Sequence, residues 1–257
     1  MKAIFREGEA LLHYHNPGRI VKTSSWTRLK EELQLGCFWA GYIPYEMGVS
    51  EACFFEAQAI TPYHDAPFFE TPQLECVKPF DTALEYQEKI KAIQEDILNG
   101  DVYQVNLSHE TKYRGKIDTL ALFLKLAHNP FAAYFDEGEK QYISSSPEKL
   151  LSRTGTTIES CPIKGTMPFG QSAALLNSAK DAAELNMITD LIRSDMSWIS
   201  NIESPRLVSE KTLTSYPHVH HLHSVIEAES DLHPIECVKA LFPGGSITGC
   251  PKGSALQ

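Results

Sequence analysis

No stretch of this chain is apolar for long enough to cross a bilayer. The opening residues, MKAIFREGEALLHYHNPGR, lack an apolar core followed by a small-residue cleavage site, which argues against secretion. The six cysteines (Cys37, Cys53, Cys76, Cys161, Cys237 and Cys250) form no CxxC pair and show no metal-ligand spacing. They read as reduced thiols of a cytoplasmic protein, where disulfides are rare. Basic residues are the minority, 23 against 33 acidic, for a net charge of −10. That balance supplies no electrostatic reason to bind nucleic acid or an anionic membrane, so an anionic substrate would need local and specific positive partners. Internal repeats, low-complexity tracts and Gly/Ser linkers are also missing. What is present is a chain of 257 residues, 42% hydrophobic and 22% charged, ordinary for a globular protein and long enough for one large domain or two small ones.

Helical and extended patterns alternate along it. Asp81 to Gly100 reads as a helix capped by Asp81 or Thr82, striped by Tyr86, Ile90, Ile93 and Ile97, and ended by Gly100. VYQVNLS follows as a strand whose buried side would carry Tyr103, Val105 and Leu107. Asp118 to His128 reads as a second helix, FAAYFD and KQYISS as strands joined by an acidic turn, and TTIESCPI as a further strand. A long helix is expected over about Lys180 to Ile199, with Met187, Ile188, Leu191 and Ile192 inward. VHHLHSVIEAE reads as extended, and Pro234 to Leu241 as a short helix before FPGGSITG. The strands lack both the βαβ rhythm and the continuous apolar runs of a parallel sheet. The expectation is an α+β fold with large antiparallel sheets flanked by helices, all in one domain.

Five places could carry chemistry, and each also has a plain structural reading. Lys164 leaves a constrained backbone in CPIKGTMP, where burial could free a neutral amine as nucleophile; the alternative is a solvated surface lysine. Glu148 in SSSPEKLL is placed at a strand-to-helix junction, as a general acid or as a first-turn charge complementing the helix. Glu184 begins the long helix, where a carboxylate suits Mg²⁺ or simply faces solvent. His218, His220, His221 and His223 invite a zinc reading, but alternate residues of an extended segment face opposite ways and cannot all converge. FPGGSITGCPKG could hold an anion on exposed N–H groups, or could be a tight turn; the Walker spacing is absent.

Taken in order, GYIPYEMG (41–48), GDVYQVNLS (100–108), SSSPEKLLS (144–152), PIKGTMP (162–168), SAKDAAELNMITDLIRSD (178–195), HHLHSV (220–225) and ALFPGGSITGCPK (240–252) resemble the chorismate-binding enzymes. That family includes anthranilate, aminodeoxychorismate, isochorismate and salicylate synthases. Within it, PIKGT with Lys164 resembles the aminodeoxychorismate synthases; anthranilate synthases typically carry alanine at that lysine. The water-adding branches carry a lysine base where this chain has Gln104, which cannot deprotonate water.

The resemblance implies amination of chorismate. Lys164 would attack ring carbon C2, Glu148 would protonate the departing hydroxyl, and His221 would line the ring. Gln104, Thr166, Ser224, Thr248 and Gly249 would contact substrate, and Glu184 would be one Mg²⁺ ligand. Ammonia would come from a glutamine amidotransferase partner. Two features depart from the family: Arg193-Ser194-Asp195 stands where RND is usual, and the link from Gly165-Thr166 to Lys180 is short. The region before about residue 75 matches poorly. Relatives continue past PKGSALQ with further glycine-rich and charged motifs, so the 257 residues alone are expected to show little synthase activity.

Overall fold

The computed structural model describes residues 1–65, 70–78, 81–201, 205–216 and 218–257. Its contacts cluster into two compact units, Met1–Thr71 with Ile117–Lys149, and Pro72–Lys116 with Leu150–Gln257. In chain order the first elements are β1 (Lys2–Glu7), β2 (Ala10–Thr23), α1 (Trp26–Glu32), β3 (Trp39–Tyr42), β4 (Ala52–Pro62) and β5 (Leu74–Lys78). Then come α2 (Ala83–Asn99), β6 (Gln104–Val105), β7 (Lys112–Gly115), α3 (Thr119–Leu126), β8 (Phe131–Asp136), β9 (Gln141–Ser146), β10 (Lys149–Thr154) and β11 (Thr157–Cys161). The last are β12 (Ile163–Pro168), α4 (Ser172–Leu176), α5 (Ala179–Ser197), β13 (Arg206–Ser215), β14 (Val219–Glu229), α6 (Pro234–Leu241), a 3₁₀ turn (Gly245–Ile247), β15 (Gly249–Cys250) and α7 (Lys252–Ala255).

The first unit is built on a six-stranded sheet in the order β3-β4-β2-β1-β8-β9, with every neighbouring pair antiparallel. Side chains alternate across it, so Ala3 joins Phe55 and Phe135 in one cluster while Ile4 joins Phe123, Ala132 and Tyr134 in another. Phe123 comes from α3, the second helix expected from the sequence, whose N-terminus Asp118 caps.

The second unit has a five-stranded sheet centred on β14. β11 pairs with residues 226–229 of β14 and β12 with residues 219–223, both antiparallel, while β13 runs along β14 from residue 220 to 227. One face of β14 buries His220, Leu222, Ser224, Ile226 and Ala228. Helix α5 covers that face with Leu185, Ile188, Ile192 and Met196, spaced three and four apart as one helical stripe. Each fully buried aliphatic side chain there contributes about 1.5–3 kcal/mol.

Helix α2 forms where expected, with a full Thr82–Glu85 capping box and Gly100 closing it in the left-handed conformation, and no residue of its stripe is fully buried. Two expectations are corrected by the structure. VYQVNLS is a strand over only Gln104–Val105, paired among the described residues with the two-residue β15, and Val102 rather than Tyr103 is buried. PEKLL opens a strand, not a helix: Lys149–Thr154 lies beside β11 and turns back through Gly155. Glu148 therefore belongs to a strand-to-strand turn. The α+β class with large antiparallel sheets stands.

Candidate functional site

Lys164 sits where β12 falls out of register with β14. Ile163 faces His223 and Thr166 faces His221, so three steps on β12 match two on β14. The extra residue is a bulge at Lys164-Gly165, a device that re-aims a side chain. Gly165 makes it possible with φ of +88°, and a Cβ there would lie 2.9 Å from Asp181 Cβ and 3.1 Å from Leu175 Cδ1. Lys164 Nζ donates to the Ser246 carbonyl at 2.9 Å and, more weakly, to Asn106 Oδ1 at 3.5 Å.

Ser246 belongs to the glycine-rich loop between α6 and β15. This loop is pressed onto β6, where Gly249 faces Val105 and Cys250 faces Gln104. A Cβ on Gly249 would fall 2.8 Å from Ala255 Cβ and 3.1 Å from Val105 Cα, so close approach demands glycine. Lys252, just beyond, places Nζ 2.5 Å from Asp195 Oδ2 on α5. It also donates to the Leu241 carbonyl at 3.2 Å. Both charged side chains are more than four-fifths buried, at 14% and 18% exposure. Desolvation raises the Asp195 carboxyl above the usual range, and Lys252 pulls it back down. The contact is ionic rather than a well-aligned hydrogen bond.

His221 and His223 stand on the face of β14 opposite α5. Thr166 Oγ1 lies 2.9 Å from His221 Nδ1, and Thr214 Oγ1 lies 3.2 Å from His223 Nδ1. Burial holds both imidazoles below the ordinary histidine range, opposed by backbone hydrogen bonds with Gly165 and Thr212 respectively. Neutral rings are favoured at pH 7. His220 points the other way, with its Nε2 accepting from the Gly170 N–H at 2.9 Å and Phe169 stacked on its ring.

The remaining sequence candidates divide. Thr166 joins His221, and Gln104 lies on β6 with its Oε1 buried and without a hydrogen-bond partner among the described residues. Ser224 does not join His221. Three residues further along the strand, it lies on the α5 face, 1% exposed. Thr248 is 4% exposed and donates its hydroxyl to the Gly244 carbonyl at 3.0 Å, while its N–H donates to Gly245 at 3.3 Å. Both of its donors are thus engaged within the loop. Glu184, on α5, pairs with Lys180 at 3.4 Å and is one-third exposed. Among the described residues no three His, Cys, Asp or Glu side chains converge to hold a metal ion. Mg²⁺ can bind through one or two carboxylates with substrate oxygens and water, but Glu184 alone does not constitute such a site. Glu148, in the first unit, sits in a turn where Ser146 Oγ donates to its carbonyl at 2.8 Å and accepts from its N–H at 3.1 Å.

Sequence reasoning missed Asn106, Ser246 and the Asp195–Lys252 pair. Asn106 left a trace, as a polar residue inside a motif read only for its alternation. Ser246 acts through its backbone carbonyl and leaves no side-chain signal.

The sequence profile of the family described as chorismate binding enzyme matches residues 44–257. Aminodeoxychorismate synthase component 1 of Escherichia coli is 36% identical over 189 residues, covering 68% of this chain and 42% of that protein. Anthranilate synthase component 1 of Thermococcus kodakarensis is 36% identical over 185 residues, covering 67% and 43%. The matched stretch thus spans under half the length of these relatives. The fold is shared with anthranilate synthase component I from Streptococcus pneumoniae, at a TM-score of 0.76, 20% identity, and coverage of 100% of this chain and 73% of that one. It is shared too with the menaquinone-specific isochorismate synthase of Escherichia coli, at 0.82, 12% identity, and coverage of 100% and 71%. With the profile spanning most of the chain and the fold in agreement, this protein belongs to the chorismate-binding enzyme family.

Proposed function

We propose that the chain carries the aminating chemistry of an aminodeoxychorismate synthase component 1, converting chorismate and ammonia to 4-amino-4-deoxychorismate for 4-aminobenzoate synthesis. The observation that carries this reading is Lys164, set in a glycine-supported bulge with its amine hydrogen-bonded to the glycine-rich loop. The amine would lose a proton and bond to C2 of chorismate as both ring double bonds shift by one position and the 4-hydroxyl, taking up a proton, leaves as water. Ammonia would then add at C4, both double bonds would return to their original places, and the C2–N bond would break to restore Lys164. Two displacements through a covalent intermediate replace one difficult substitution. His221, neutral and fixed by Thr166, would face the ring, and Gln104 would offer an unpaired amide oxygen to it. Substrate carboxylate binding at Thr248 would require its hydroxyl to turn away from Gly244.

Relatives named as component 1 support a second polypeptide as ammonia donor, for which a glutamine amidotransferase is the natural chemistry. Mg²⁺ is proposed to reach Glu184 together with substrate oxygens, and calorimetric titration of Mg²⁺ into protein with and without Glu184→Gln tests it. The general-acid role proposed for Glu148 is tested by Glu148→Gln in the same adduct assay. The decisive experiment is intact-protein mass spectrometry after incubation with chorismate and Mg²⁺, without ammonia. A mass gain equal to chorismate less water, lost in Lys164→Ala, is expected. Amination that survives Lys164→Ala would instead place the chain with the anthranilate synthases, which the Thermococcus relative keeps in view.

A further inference from the structure

Three segments meet at one backbone oxygen. The Ser246 carbonyl accepts from Lys164 Nζ at 2.9 Å and from Asn106 Nδ2 at 2.8 Å, and Asn106 Oδ1 accepts from Lys164 Nζ at 3.5 Å. The triangle fixes the amide orientation. Turning the Asn106 amide over would set its NH₂ against an ammonium that has only donors, and its oxygen against a carbonyl that has only lone pairs. The backbone of Asn106 is held as well, its N–H donating to the Thr248 carbonyl at 2.8 Å. Asn106 is thus tied to the loop by main chain and side chain together, and Lys164 reaches the same carbonyl through its amine.

We propose that Asn106 is a positioning residue for Lys164: it holds the amine against the Ser246 carbonyl and stays on that carbonyl when the amine departs. Ser246 is 8% exposed, and a buried carbonyl that loses a hydrogen-bond donor carries a desolvation penalty. Asn106 Nδ2 keeps the acceptor engaged, which lets Lys164 swing toward a ligand without that penalty. Its Oδ1 also presents the negative end of a dipole to the amine and so sets the proton affinity of Lys164. The role rests on reading Lys164 as the nucleophile, but the contact can be measured without chorismate. The titrating groups beside the bulge are Asp181, packed against Gly165, and His221, bonded to Thr166. Variants at Asn106 leave both in place.

The test is competitive labelling of the folded protein with trace acetic anhydride across alkaline pH, read at Lys164 by peptide mass spectrometry. Asn106→Asp puts a carboxylate beside the amine and is expected to raise the labelling midpoint by about one pH unit. Asn106→Leu removes the acceptor and is expected to lower it, while labelling of the exposed Lys180 stays as in the parent. Far-UV circular dichroism verifies folding, and if the leucine variant fails to fold, the aspartate variant decides alone. Equal midpoints at Lys164, with the chorismate adduct still forming, overturn the positioning role and leave the nucleophile standing. Shifted midpoints in a parent protein that forms no adduct do the reverse.

Discussion

At the scale of single residues, the site depends on groups whose surroundings leave no room for substitution. Gly165 combines φ of +88° with neighbours 2.9 and 3.1 Å from where a Cβ would stand. Left-handed backbone costs a non-glycine residue about 1–2 kcal/mol before any clash. Gly165→Ala is therefore expected to lower unfolding free energy by about 2 kcal/mol or more in urea titration. It should also weaken the adduct at Lys164, because Asp181 and the bulge must move. An unchanged urea midpoint would contradict the close packing. The Lys252–Asp195 pair behaves differently. Lys252→Met leaves a mostly buried carboxylate without its counter-charge, a loss of about 3 kcal/mol at pH 7. Removing both charges in Lys252→Met with Asp195→Asn should recover part of that. A double-mutant cycle with no coupling between the two positions would show the pair to be incidental.

Elements differ in how they are held. Helix α5 is secured by tertiary packing, its stripe sealed against β11, β14 and α6. Helix α2 has no fully buried side chain, Ile90 and Ile93 being half-buried, so local terms, the Thr82–Glu85 capping box and the Gly100 cap, weigh more in its persistence. Capping residues contribute about 1 kcal/mol each. Thr82→Ala is expected to speed amide exchange through the first turns of α2 several-fold while leaving the global unfolding midpoint nearly unmoved. A drop in the global midpoint matching a core deletion would mean that α2 is packed more firmly than its exposure shows. Periodicity predicted both helices within a few residues of their ends, because a capping side chain and a 3.6-residue repeat are local properties. It could not distinguish the covered stripe from the uncovered one, since coverage depends on residues far away in sequence.

For the whole molecule, histidine burial couples stability to pH. His13, His221 and His223 all have pKa values lowered in the folded state, chiefly by desolvation. The unfolded chain then binds more protons than the folded one as pH falls below about 6.5, the ordinary histidine value. The stability due to their neutral forms is fully present above that pH and is lost as acidity carries them down to their folded values. Each contributes a slope of at most about 1.4 kcal/mol per pH unit in that window. Thermal melts from pH 7.5 to 5 should show a falling midpoint, and His223→Gln should flatten the fall. A pH-independent midpoint would remove the linkage.

Much of this protein could be read from its residues in order. The α+β class, the antiparallel strands, the long helix and the membership of the chorismate-binding family all follow from periodicity and ordered motifs, because those are written in neighbouring positions. The opposite faces taken by His220 and His221 follow from the two-residue repeat of a strand. That same repeat places Ser224 with the core, though the motif grouped it with the histidine. Tertiary structure alone decided where Lys164 aims, since a bulge exists only as a mismatch between two paired strands. It alone brought Asn106, Ser246 and Lys164 together from positions up to 140 residues apart. It also engaged the Thr248 hydroxyl within its own loop. Local pattern specifies which way a side chain can face; only the packed chain specifies what it meets there.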